Sequence, residues 1–106
     1  MSNIKKSFVE LIGNTPLLAA TRFGAKHEAK ANILAKLEYF NPGGSVKDRI
    51  AAAIIQNAIQ SGELQPGGTI VEATSGNTGI GLSAVGAALG FKVIIVMPGA
   101  RSIERR

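Results

Sequence analysis

The chain has 106 residues, of which 45% are hydrophobic, and its net charge is +5. A chain of this length forms at most one domain. The absence of Cys and the single His exclude disulfides and argue against a metal site. The basic residues are scattered and aromatic residues are few, which argues against nucleic acid as a partner. No apolar run is long enough for a membrane helix, and the first residues lack the apolar stretch of a signal peptide, so we expect a cytoplasmic protein with no membrane contact.

The first third of the chain is predicted to be irregular, with two short strands. Residues 13–16 (GNTP) are typical of a turn and precede a strand at 17–20. A second strand is predicted over 33–38, because alternate residues there are apolar. Residues 41–44 (NPGG) then turn the chain.

A helix should follow this turn. Ser45 and Asp48 have the S-x-x-D spacing of a capping box, in which each side chain satisfies backbone donors of the first turn. Ser61 and Gly62 should end the helix. Its apolar face is predicted from helical spacing to consist of Ile50, Ala51, Ile54, Ile55, Ala58 and Ile59.

The last part of the chain predicts a βαβ unit. After a turn at 65–68, a strand is expected at 69–73, a helix at 78–89 and a buried strand at 91–97 that stops at Pro98. Two strands joined in this way should be parallel with a right-handed crossover. The pattern therefore predicts an α/β fold.

Lys47 occupies an unusual position for a cation, two residues after the expected helix cap at Ser45. The first turn of a helix carries unpaired amide hydrogens and the positive end of the helix dipole. Imine chemistry with a carbonyl cofactor uses the neutral amine as nucleophile, which this position favours. A surface lysine whose ammonium extends into water is the alternative, and position alone does not decide between the two.

Residues 74–79 (TSGNTG) lie between a predicted strand and the helix that follows it. Backbone amides at such a helix start, together with hydroxyl and amide side chains, form a site for a carboxylate or phosphate. The alternative is a capped turn in which Thr and Ser only satisfy the helix donors. Residues 79–84 (GIGLSA) also match the dinucleotide pattern G-x-G-x-x-A, but these glycines fall inside the predicted helix and no acid follows the second strand, which argues against a nicotinamide cofactor.

Three blocks, 11–17 (LIGNTPL), 41–49 (NPGGSVKDR) and 74–79 (TSGNTG), together with the terminal 102–106 (SIERR), resemble the cysteine synthase (O-acetylserine sulfhydrylase) family in collinear order. This resemblance implies the fold of fold-type-II pyridoxal-phosphate (PLP) enzymes, the tryptophan synthase β-like class. The chain would then be an incomplete, parallel-sheet, three-layer α/β fragment.

The resemblance also implies a division of the chain. Residues 1–44 would form strands and turns that partly join the other domain of the intact family, and 45–106 a βαβ-containing small domain. Residues 98–101 (PGAR) depart from the family's usual Pro-Glu-Thr-Met. The chain ends at Arg106, before the family's phosphate loop and most of the second domain. Activity of these residues alone is therefore not implied.

The family's site residues map onto this chain by position. Lys47 matches the lysine that carries pyridoxal 5'-phosphate, and Asn77 matches the asparagine that bonds the ring oxygen of the cofactor. The substrate carboxylate would be held by Thr74, Ser75, Gly76, Asn77 and Thr78. The implied reaction replaces the acetoxy group of O-acetyl-L-serine by sulfide and gives L-cysteine and acetate, with Lys47 moving the Cα proton.

Two alternatives stay open at this stage. Cystathionine β-synthase shares the 41–49 and 74–79 motifs, and a non-catalytic truncated fragment is also compatible with them. For a complete enzyme the resemblance implies a homodimer and, in bacteria, association with serine acetyltransferase.

Overall fold

The computed structural model describes residues 3–74 and 76–98. In chain order the elements are β1 (Leu17–Ala19), α1 (Thr21–Lys26), β2 (Leu34–Lys36), α2 (Lys47–Ser61), β3 (Thr69–Ala73), α3 (Asn77–Ala88) and β4 (Lys92–Val96). Short 3-10 turns occupy Phe8–Leu11 and Glu38–Phe40. Within the described ranges, no helix has the length and apolar composition needed to cross a membrane.

The two predicted N-terminal strands are confirmed, although both are shorter than expected. β1 and β2 pair antiparallel, with Leu17 opposite Lys36 and Ala19 opposite Leu34. The helix α1 between them was not predicted. It is only six residues long, contains Gly24 and has no side-chain cap, so it lacks the sequence signals that mark a stable helix.

The predicted βαβ unit is confirmed. β3 and β4 pair parallel, from Thr69 opposite Lys92 to Ala73 opposite Val96. Helix α3 connects these strands and packs on α2. The core between the helices consists of Ala51, Ala52, Ile55, Leu82 and Val85.

The prediction that 91–97 forms a buried strand is wrong. In β4 the side chains alternate, with Val93 and Ile95 partly buried while Ile94 and Val96 are exposed, Val96 by 54%. Val93 and Ile95 approach Gly86 and Gly79 of α3, so one face of the strand is covered by that helix. Among the described residues nothing covers the opposite face to the same extent, which leaves its apolar side chains exposed.

The predicted apolar face of α2 is only partly buried. Ala51 and Ile55 lie in the core, whereas Ile50, Ile54 and Ile59 are exposed. The buried stripe includes Ala52 instead, because α3 lies over the line that passes through Ala51, Ala52 and Ile55. Gly62 ends α2 as predicted, in the left-handed conformation with φ of 83°.

Candidate cofactor and substrate site

Lys47 is the first residue of α2, but the expected capping box is not formed. The N-cap is Val46, which makes no side-chain cap hydrogen bond. The Ser45 hydroxyl accepts from the backbone N–H of Lys47 at 3.1 Å. The Asp48 carboxylate accepts from the backbone N–H of Gly43 at 2.5 Å and does not reach back to Ser45. Both side chains satisfy backbone donors, but the chain enters the helix through a tight turn that changes which donors they meet.

Asp48 joins the 41–44 turn to the helix start. Its side chain is fully buried, and its Oδ1 atom has no hydrogen-bond partner among the described residues. A Cβ atom at Gly43 would overlap the Asp48 carboxylate. Only glycine at this position therefore allows the turn to lie directly against the acid.

Arg49 joins the same helix start to two other segments. Its Nε donates to Glu38 Oε1 at 2.9 Å, and its Nη2 donates to Thr15 Oγ1 at 2.7 Å. Asn41 Nδ2 donates to the same Glu38 oxygen at 3.0 Å, and Asn41 Oδ1 accepts from Gly13 N–H at 2.9 Å. We call these five residues the Arg49 cluster.

The Arg49 cluster changes the acidity of Glu38. The hydrogen bond from Arg49, with smaller effects from Thr15 and Asn41, lowers the pKa of the Glu38 carboxyl from 4.5 to about 2 against the opposing effect of partial burial. Glu38 is therefore ionised at neutral pH. Lys36 contributes a second, longer ion pair to the other carboxylate oxygen at 3.5 Å.

The described residues of the predicted substrate-binding segment 74–78, which we call the 74–78 loop, lie at the carboxyl end of β3 and at the start of α3. Thr74 N–H donates to the Val96 carbonyl at 3.1 Å, which extends the pairing with β4 by one bond. The Thr74 methyl would lie only 3.2 Å from a Cβ at Gly79, so glycine there permits close contact between loop and helix. Ser75, predicted to bind the substrate carboxylate, lies outside the described residues.

Gly76 begins α3 in a conformation that other residues strongly disfavour, with φ of 98° and ψ of −145°. It is the N-cap and offers no side-chain acceptor to the first-turn amides. Within residues 3–74 and 76–98, the side chains of Thr74, Asn77 and Thr78 make no hydrogen bond. Thr74 therefore does not cap this turn, while the part of the capped-turn alternative that involves Ser75 lies outside the described residues. The side chains of Thr74, Asn77 and Thr78 are available to a ligand.

A close helix contact brings Lys47 towards the 74–78 loop. A Cβ at Gly81 of α3 would lie 3.0 Å from the Lys47 carbonyl oxygen and 3.1 Å from Ala51 Cβ. Gly81 follows Asn77 by one turn, about 6 Å along the helix axis. The starts of α2 and α3 are thus neighbours, each with its positive dipole end and unpaired amide hydrogens.

This arrangement fits a cofactor that has a carbonyl group and negative charge. The Lys47 side chain makes no hydrogen bond or ion pair within the described residues, so its amine is available. The glycine conformation at Gly76 and the uncapped start of α3 leave room and donors for an anionic group. A lysine at one helix start and an adjacent helix start without a side-chain cap are together a suitable donor set for pyridoxal phosphate.

Comparison with known proteins identifies the family. Residues 9–106 match the family described as "Pyridoxal-phosphate dependent enzyme". The chain belongs to this family. The predicted resemblance, the α/β fold with a parallel sheet and the pyridoxal phosphate cofactor are thereby confirmed.

Relatives within this family carry more than one name. The chain is 47% identical over 102 residues to cystathionine beta-synthase of Oryctolagus cuniculus, covering 96% of this chain and 18% of that protein. It is 53% identical over 93 residues to cysteine synthase 1 of Emericella nidulans, and this match covers 88% of this chain and 25% of that protein. The crystal structure of O-ureido-L-serine synthase superposes with a TM-score of 0.88 at 45% identity, and the superposition covers 97% of this chain and 32% of that one. The chain therefore spans less than a third of the length of each of these relatives.

Lys47 and residues 74–78 were predicted from the sequence, whereas the hydrogen bonds within the Arg49 cluster were not. Its members come from three segments, and the hydrogen bonds span 11, 28 and 34 positions along the chain. No periodicity predicts contacts at such separations. The available signal was chemical: Arg49 follows Lys47 by two residues, and a second cation in a helix first turn calls for an acidic partner.

Proposed function

We propose that this chain supplies the lysine and the substrate loop of a PLP-dependent cysteine synthase. The proposed reaction converts O-acetyl-L-serine and sulfide into L-cysteine and acetate. Relatives named cysteine synthase support this choice at 53% identity in Emericella nidulans and 50% in Staphylococcus aureus. The match to the Staphylococcus aureus enzyme covers 94% of this chain and 32% of that protein.

One observation carries the proposal, namely the contact at Gly81 that makes the starts of α2 and α3 neighbours. This contact fixes the Lys47 backbone against α3, one turn from Asn77. With the two helix starts adjacent, the Lys47 amine and the start of α3 would serve one ligand from two sides. An α-amino acid bound through its carboxylate at the 74–78 loop would present its Cα side to the lysine.

Each residue then has a separate task. Pyridoxal phosphate, when bound, supplies an electron sink for the charge that develops at the substrate Cα. Lys47 Nζ holds the cofactor and moves the proton at Cα. The amide of Asn77 orients the cofactor ring. The hydroxyls of Thr74 and Thr78 and the amides of the α3 start bind the substrate carboxylate.

A second candidate function is that of a cystathionine β-synthase. The relative from Oryctolagus cuniculus carries that name, and the match covers 96% of this chain. In that reaction the thiol of homocysteine would take the place of sulfide. The same lysine and loop serve both reactions, so the described residues support the shared chemistry and the nucleophile distinguishes the two.

The assay compares products formed by the intact protein that carries this sequence, loaded with pyridoxal phosphate. We expect cysteine and acetate from O-acetylserine and sulfide, and less cystathionine when homocysteine replaces sulfide. Lys47→Ala should abolish both, while Lys26→Ala, a lysine at the end of α1, should have no effect. Cystathionine as the dominant product would favour the second candidate, and full activity in Lys47→Ala would contradict both.

The loop assignments have their own test. Asn77→Ala should change the absorption spectrum of the bound cofactor, whereas Thr74→Val should mainly raise the KM for O-acetylserine. Unchanged spectra and kinetics in both variants would contradict these roles. The cytoplasmic location, the homodimer and the association with serine acetyltransferase are further parts of the proposal, and gel filtration with and without that partner tests the last two.

A further inference from the structure

We infer that Arg49 is a positioning residue for Lys47, held in place by Glu38 and Thr15. The inference rests on the proposed function, because it assigns Arg49 to the same site. Arg49 would not touch the substrate or cofactor. It would instead fix the first turn of α2, so that the Lys47 amine starts from one defined backbone position.

Direction along the helix explains why Arg49 acts indirectly. Residues two apart project about 200° from each other around a helix axis. Arg49 points towards Glu38 and Thr15, and its guanidinium lies near Gly13, where a Cβ would be 3.4 Å from Nη1. Lys47 therefore projects to the other side, away from the Arg49 cluster.

The first turn of α2 is held from several directions. Arg49 connects it to Glu38 and Thr15, while the buried Asp48 connects it to Gly43. On the other side, the Lys47 carbonyl faces Gly81 of α3. Loss of Arg49 would remove two of these hydrogen bonds and leave the Asp48–Gly43 bond, so the backbone of Lys47 would be held less firmly.

An ordinary surface ion pair is the simpler explanation of the Glu38–Arg49 contact, and such pairs contribute little. Two features argue that the Arg49 contacts hold the start of α2 more firmly than a surface ion pair would. The Arg49 side chain is only 39% exposed and donates to two acceptors from different segments. Asn41, which bonds both Glu38 and Gly13, is 5% exposed, so the cluster continues into the protein interior.

The test measures how fast Lys47 captures pyridoxal phosphate in the intact, cofactor-free protein. Borohydride is added at intervals to attach the cofactor covalently to the lysine that holds it, and peptide mapping locates it. Arg49→Met should slow labelling of Lys47 by about tenfold or more at temperatures far below unfolding, since small misplacements of reacting groups have large effects on rate. Arg49→Lys keeps the charge but not the planar guanidinium with its two donors. Its rate of Lys47 labelling should lie between those of Arg49→Met and the natural protein.

Lys36→Met is the matched control, because Lys36 pairs with the other Glu38 oxygen and, among the described residues, its side chain makes no hydrogen bond or ion pair with α2. It should label at the natural rate. Thr15→Val removes only the hydrogen bond between Arg49 and Thr15 and should also slow labelling of Lys47. This variant keeps the test decisive if Arg49→Met does not fold. Circular dichroism and thermal unfolding identify the folded variants.

The outcomes separate this inference from the proposed function. Labelling of Lys47 in the natural protein with slower labelling in the folded Arg49 and Thr15 variants would support both. Natural-rate labelling in these variants, even with a lower melting temperature, would overturn the positioning role alone. Labelling of another lysine in the natural protein would overturn the proposed function and this inference with it.

Discussion

Replacement of Gly81 by alanine tests the helix contact on which the site depends. The added Cβ would lie 3.0 Å from the Lys47 carbonyl oxygen and 3.1 Å from Ala51 Cβ. Neither the carbonyl nor the alanine has a flexible end that turns aside. α3 must therefore move away from α2 by a few tenths of an ångström, at the point where Lys47 begins the helix.

Two opposing effects set the magnitude. Alanine is favoured over glycine in a helix interior by about 1 kcal/mol, which alone would stabilise the variant. Overpacking at a close helix contact costs about 1–3 kcal/mol. We expect the second effect to dominate, with a net loss of about 1 kcal/mol for Gly81→Ala. Gly81→Val, which is larger and β-branched, should lose about 3 kcal/mol.

Urea unfolding of the cofactor-free intact protein measures these changes as differences in the free energy of unfolding. Ser83→Ala is the matched control, because Ser83 is exposed on the same helix and should gain about 0.5 kcal/mol from helix propensity alone. The Lys47 labelling rate, measured as above, should fall in Gly81→Ala and stay unchanged in Ser83→Ala. A stability gain in Gly81→Ala equal to that of the control would refute the close contact between Lys47 and α3.

Three further variants test other features of the structure. In Gly76→Ala the new Cβ would meet no atom of the described residues within 4 Å apart from its chain neighbours, yet the φ of 98° should lower the free energy of unfolding in urea by about 1–3 kcal/mol. Equal stability would contradict the backbone conformation at the α3 start. Gly86→Ala should lose about 2 kcal/mol because its Cβ would overlap the Val93 side chain. Addition of Val93→Ala should recover part of that loss, whereas strictly additive effects would argue against the contact. Glu38→Gln should be less stable than the natural protein at neutral pH, because the Glu38 pKa is lowered from 4.5 to about 2 by Arg49. A lowered pKa in the folded state gives stability that is fully present above 4.5 and is lost as the pH falls towards 2, so the difference between the two proteins should close over that range and not stay constant.

Much of the C-terminal fold was predictable because its signals are local. β3 begins and ends at the predicted residues, Thr69 and Ala73, because turn residues border it on both sides. Gly62 ends α2 for the reason expected, a left-handed conformation that glycine adopts freely. Parallel pairing followed from the strand, helix, strand order, which leaves few other arrangements.

Predictions of burial failed for a different reason, because the burial of a side chain depends on which other segments pack against it. The exposure of Ile94 reflects which face of the sheet a helix covers, and the strand's own composition does not encode this. The short turn at Phe8–Leu11 did carry a readable signal, since Ser7 and Glu10 form a capping box with the S-x-x-E spacing. The same kind of spacing at Ser45 and Asp48 predicts a capping box that does not form.

The charges at the start of α2 explain why an anionic ligand suits this place. The first turn contains two cations and one acid, and a helix start disfavours cations. Glu38 neutralises Arg49 at 2.9 Å, while the Asp48 carboxylate is taken up by the Gly43 amide. Within the described residues the Lys47 side chain is left without an acidic partner, and its helix start is adjacent to that of α3, whose N-cap is Gly76. A ligand that brings negative charge and a carbonyl group compensates both helix starts and meets the amine at once, which a neutral ligand would not do.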